Sequence, residues 1–117
     1  MPPLGDGEVG AILPISTLSL DDAPGAAVKA TPGLLYGWHL QNAAAAITYV
    51  QVFDAAAVGD VTIGTTTPRF TIGIGASLPI ALSFSKPIKF ATGIVVFATT
   101  TATGNTGATV NGSWFIA

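Results

Sequence analysis

The chain has 117 residues, of which four are basic and six acidic, against roughly 29 charged residues expected in an average soluble domain of this length. One domain with a single core fits this length, and a net charge of -2 supplies no basic field for a phosphate backbone, so nucleic acid is not an expected partner. The absence of cysteine excludes disulfide scaffolds and thiolate-ligated metal centres.

The first residues, Met1-Pro2-Pro3-Leu4-Gly5-Asp6-Gly7-Glu8, carry acids and prolines where a secretory signal needs a basic and then a continuous apolar region. Export by the usual route is not expected. Residues 1–11 hold too many prolines and glycines for regular structure and read as an N-terminal arm, with residues 12–117 as one domain. Pro2, Pro3 and Leu4 are the candidate anchoring residues of that arm. Ile12 to Leu20 and Ala26 to Thr31 read as strands, the first at an edge because Pro14 cannot donate to a ladder. Between them Asp21-Asp22 sits in a turn, and two acids fall short of the six to eight oxygens that calcium takes.

From Leu34 to Gln41 the even positions are Leu34, Tyr36, Trp38 and Leu40, which alternation assigns to one core face, leaving His39 and Gln41 on the other. Ala43–Ala46 is too short to repay helix nucleation and reads as a turn. Ile47 to Phe53 is apolar on both faces, as is Ile94 to Ala98, so each needs cover on both sides. In so charge-poor a chain the second cover is expected to be another subunit, which makes Tyr49, Gln51, Phe53, Val95 and Phe97 candidate interface residues. Phe70 to Ile74 and Leu78 to Phe84 are one-faced strands joined at Gly75-Ala76-Ser77. Thr99 to Ala108 reads as an exposed, mobile loop, and Val110 to Ile116 as a last strand. Eight or so short strands with 22 Gly and Pro residues between them predict an all-β fold, an antiparallel β-sandwich of jelly-roll type.

Charge divides unevenly along the chain. Residues 1–60 hold all six acids and Lys29, a net of -5, while residues 61–117 hold Arg69, Lys86 and Lys89, a net of +3. Such a dipolar protomer favours head-to-tail contact with its own copies or a host surface. Catalytic chemistry is thinly supplied, with one histidine and acids confined to the first half. A lone His39 on a strand is more often a satisfied sheet residue than a catalyst, and no acid pair has metal-ligand spacing. Gly73-Ile74-Gly75-Ala76-Ser77-Leu78 lacks the last glycine and the helix of a dinucleotide fingerprint. No cofactor and no enzymatic activity are expected.

The segments Leu35-Tyr36-Gly37-Trp38-His39-Leu40-Gln41-Asn42, Tyr49-Val50-Gln51-Val52-Phe53-Asp54 and Gly64-Thr65-Thr66-Thr67-Pro68-Arg69-Phe70-Thr71-Ile72, then Pro87-Ile88-Lys89-Phe90 and the Thr-rich stretch from Thr99, resemble small β-sandwich proteins encoded among the structural genes of tailed bacteriophages. The resemblance covers residues 34–117. By analogy it implies a capsid decoration, or cement, protein that binds the outer surface of the assembled head as a homotrimer, with itself and the major capsid protein as partners and the virion as its location. The alternative is a receptor- or glycan-binding sandwich of a fibre or tail, which needs Trp38, Tyr49 or Trp114 exposed beside an amide or acid.

Overall fold

The computed structural model describes residues 25–117 and the strand Ile12–Leu13. The expected arm and its Pro2, Pro3 and Leu4, the continuation of the first strand to Leu20 and the Asp21-Asp22 turn all lie outside the described residues. Eight strands follow in chain order: β1 (Ile12–Leu13), β2 (Ala26–Lys29), β3 (Gly33–Asn42), β4 (Thr48–Asp54), β5 (Phe70–Ile74), β6 (Pro79–Phe90), β7 (Ile94–Thr99) and β8 (Val110–Ile116). A single turn of 3-10 helix at Val58–Asp60 is the only helical element among the described residues.

The strands form two four-stranded sheets, ordered β1-β8-β3-β6 and β2-β7-β4-β5. Every ladder is antiparallel, and the outer pairs are β1 with β8, β2 with β7, β3 with β6 and β4 with β5. This is the nesting produced by rolling one long hairpin so that successive pairs fall in alternate layers. The fold is therefore a jelly-roll β-sandwich, as the strand pattern predicts. Pro14 follows directly on β1, which lies at a sheet edge as expected.

The two layers enclose one main core. Leu35, Trp38, Leu40, Phe90, Trp114 and Ile116 come from the first sheet, and Val50, Val52, Ile72, Ile74, Val96 and Ala98 from the second. Trp38 organises its centre, with ring centroids 5.8 Å from Phe70, 5.4 Å from Phe84 and 6.0 Å from Trp114. The indole N–H groups of Trp38 and Trp114 are buried without a protein acceptor, so these side chains are held by apolar contact alone.

Alternation along β3 fails at one point. Leu35, Trp38 and Leu40 are buried, whereas Leu34 and Tyr36 are only half-buried. The cause is a bulge between Leu35 and Gly37, where β3 slips against both β6 and β8 and the inward parity changes from odd to even. Gly37 has φ +155°, and a Cβ there would collide with the Leu82 carbonyl, so the close approach of β6 at the bulge requires glycine.

At the end of β3, the fully buried Asn42 ties two connections together. Its Nδ2 donates to the carbonyls of Ala46 (2.9 Å), Ile74 (3.1 Å) and Gly75 (3.1 Å). Its Oδ1 accepts from the Ala44 N–H (2.9 Å) and the Thr48 hydroxyl (3.2 Å). The alanine run is thus a connection wrapped on this amide, as expected. Asn42→Ala leaves the buried Ile74 carbonyl and Thr48 hydroxyl without this partner and frees two part-buried carbonyls, and is expected to cost about 3 kcal/mol, read as a lowered urea midpoint with unchanged slope.

Candidate functional site

The sequence points to the second face of β4 and β7 as a surface between subunits, and the structure corrects this. Phe53, Val95 and Phe97 are at most 3% exposed within the single chain, and Gln51 is 1% exposed. Their cover is the chain's own excursion between β4 and β5. Ala55, Val61, Val58 and Ile63 close over Phe53, Val95 and Phe97 to form a second, smaller core, in which the Phe53 and Phe97 rings meet edge to face at 5.8 Å. Tyr49, on the same face, is half-buried with its ring over Gly73. The five candidate interface residues therefore serve the protomer's interior or its flank. The missed signal was the apolar spacing of Val58, Val61 and Ile63 inside a segment otherwise rich in Gly and Thr.

Gln51 has a second task. Its Nε2 donates to the Thr99 hydroxyl (2.9 Å) and the Gly104 carbonyl (3.0 Å), and the Thr99 hydroxyl donates to the Thr101 carbonyl (2.7 Å). With Thr100 N–H on the Thr106 carbonyl and Ala108 N–H on that of Ala98, the Thr-rich segment after β7 is folded back on the sheet. Thr100, Thr101, Thr103, Asn105 and Thr106 keep their side chains exposed, as expected, but the backbone is tied at several points.

Asp54 ends β4 and caps the turn between β6 and β7. Its carboxylate accepts from the N–H groups of Ala91 (3.1 Å), Thr92 (2.8 Å) and Gly93 (3.3 Å). Partial burial raises its pKa, but the three N–H donors and the Arg69 charge together outweigh that and hold it below the ordinary carboxylate value. Beside it Asp60, Arg69, Thr66 and Thr67 line a depression of about 280 Å³. Arg69 also donates to the Lys89 carbonyl and lies 4.9 Å over the Phe90 ring, joining the two layers at this end of the β5–β6 flank.

A shallower hollow of about 530 Å³ lies on the outer face of the first sheet, lined by Trp38, His39, Ala81, Leu82, Ser83 and Phe115. His39 is exposed there, opposite the buried Trp38 as alternation requires, and is the one titratable group in the lining. Of the three aromatics a glycan site would use, Trp38 and Trp114 are in the core.

Among the described residues, the large apolar side chains left exposed are Leu78 (54%), Ile47 (47%) and Leu82 (47%). Ile47 and Leu78 belong to the connections gathered at Asn42, and Leu82 lies one strand-turn further along the same face of β6. All three are apolar side chains that the protomer leaves in water. No protein-family model, curated protein or solved structure matches the chain.

Two measurements check this assignment. Phe97→Ala is expected to destabilise the chain by about 3–4 kcal/mol, with the same loss at every protein concentration, because the residue is in the protomer's own core. For Asp54 the depressed folded pKa means its stabilisation is present above the unfolded carboxylate pKa and lost as pH falls through the folded value. Asp54→Ala is therefore expected to cost about 1 kcal/mol at pH 7, and the gap to wild type in urea unfolding should close in acid.

Proposed function

We propose that this chain is a capsid decoration protein of a tailed bacteriophage, which binds the outside of the assembled head together with further copies of itself and stabilises the shell. The observation that carries the reading is the exposure of three large apolar side chains, Leu78, Leu82 and Ile47. Phe53, Val95 and Phe97 are covered within the protomer, so these three exposed side chains are the large apolar surface left over for contact with another macromolecule among the described residues. The jelly-roll architecture and the resemblance of residues 34–117 to phage structural proteins support the same conclusion.

Decoration requires no reaction. Several linked footprints convert weak individual contacts into firm attachment to a repetitive shell. The three-fold association implied by the resemblance is expected near residues 47–53 and 93–98, but Gln51, Phe53, Val95 and Phe97 are filled internally, so of that region Ile47 and the half-buried Tyr49 keep surface for a contact. The arm at residues 1–11 remains the proposed anchor to a neighbouring edge strand or to the shell.

The test is copy number per virion by quantitative gel densitometry, with re-addition of the purified protein to heads that lack it. Hundreds of copies, and heads that withstand higher temperature once the protein is restored, are the expected results. A handful of copies would transfer the protein to a tail or fibre. The receptor-binding reading would then rest on Tyr49, the one candidate aromatic with exposed surface.

A further inference from the structure

The four sheet edges are treated differently. β2 is broken by a bulge between Ala27 and Lys29, and β5 is five residues long beginning beside Arg69. Short length, irregularity and charge are the ordinary means of keeping an edge from pairing. β6 runs for twelve residues, but its register against β3 breaks between Ser83 and Ile88 and its cations Lys86 and Lys89 lie at or beyond that break, so its regular, uncharged part is Pro79–Ser83. The stretch Leu78-Pro79-Ile80-Ala81-Leu82-Ser83-Phe84 is uncharged, and its residues from Leu78 to Ser83 are exposed except for the half-buried Ile80.

The direction of its main-chain groups follows from one hydrogen bond and the ladder register. The Leu78 carbonyl accepts from the Asn42 N–H at 3.0 Å, so the even residues of this stretch turn their polar backbone groups toward β3. Ala81 and Ser83 therefore turn N–H and C=O outward, and Pro79 its C=O. The side chains of Ile80 and Leu82 lie on the core-facing side, opposite Leu40 and Trp38 in the ladder.

We infer that this edge pairs with the same edge of a second copy, antiparallel and two-fold symmetric about Ala81. Ala81 then exchanges both main-chain hydrogen bonds with Ala81 of the second copy, and Ser83 N–H donates to the other copy's Pro79 carbonyl. The missing N–H of Pro79 removes a bond only at the ends of this ladder. On the apolar face Ile80 meets the second copy's Leu82, and Leu78 meets its Phe84, so the exposed leucines of the strand are covered by one symmetry operation. A shift of the axis by one residue to Leu82 sets Leu78 against Lys86 instead. The interface is isologous and joins the two first sheets into one eight-stranded layer. It does not depend on the decoration reading or on any three-fold contact elsewhere.

The full chain tests this by native mass and by cross-linking. Ala81→Cys supplies the chain's sole cysteine, and hydrogen-bonded antiparallel partners lie about 5.5 Å apart at Cα, within the disulfide range of about 4.4–6.8 Å. It should close a covalent dimer on mild oxidation, far faster than Ala57→Cys on the opposite layer. Ala81→Pro removes an N–H that the β3 ladder does not use, and Leu82→Lys sets charges against an apolar pair. Each should weaken pairing by about tenfold or more and halve the native mass in sedimentation, with far-UV circular dichroism unchanged. Deletion of residues 1–11 should leave the mass as it was. A wild-type mass of one copy, cross-linking at Ala81→Cys no faster than at Ala57→Cys, a mass insensitive to both Ala81→Pro and Leu82→Lys, or one that halves when residues 1–11 are removed overturns the inference.

Discussion

Two strands that are apolar on both faces govern this molecule. β4 and β7 lie side by side in the second sheet, and sheet pairing satisfies only their main chain. Val50, Val52, Val96 and Ala98 on one face demand the opposing layer, and Phe53, Val95 and Phe97 on the other demand a second cover. The chain supplies that cover from the segment between β4 and β5, which is why this connection is long and why it carries the Val58–Asp60 turn. Gln51, the one polar side chain between Phe53 and Tyr49 on that face, is acceptable in the interior because the segment after β7 returns to accept its amide protons.

The sheet content and the order of the strands were legible because β-branched and aromatic residues alternate between Gly and Pro breaks along most of the chain. β4, β5, β7 and β8 fall within a residue or two of where the pattern sets them. The inward positions of Trp38 and Trp114 were equally readable. Leu34 and Tyr36 were not, since a bulge at Gly37 is decided by how closely β6 approaches and leaves no mark in alternation. Nor was the full length of β6, whose second half contains Pro87 and two lysines and looks like a loop. The assignment of Phe53 and Phe97 to a subunit contact was correct about burial and mistaken about the source of the cover. A two-faced apolar strand states that something packs on it, and only tertiary structure decides whether that is the same chain.

The flank between β5 and β6 shows the same economy from the other side. At one end Arg69 spans the layers, donating to the Lys89 carbonyl while its guanidinium plane covers Phe90. A cation thus satisfies a main-chain oxygen at an edge and shields an aromatic of the core. At the other end Asn42 draws the Ala43–Ile47 and Gly75–Leu78 connections inward through their carbonyls. Between these two fastenings the stretch Pro79–Ser83 is left with apolar side chains in water, and the nearest lysine of the strand, Lys86, lies past the register break with β3.

Both tryptophans of the chain stand 6.0 Å apart in the larger core, sealed from water and with no polar partner at either ring nitrogen. Intrinsic emission from this protein is consequently short in wavelength and reports on the space between the layers alone. The smaller cluster around Phe53 and Phe97 is spectroscopically dark by comparison, so a partial detachment of the Ala55–Ile63 lid would pass unseen in a fluorescence melt and register only in amide exchange.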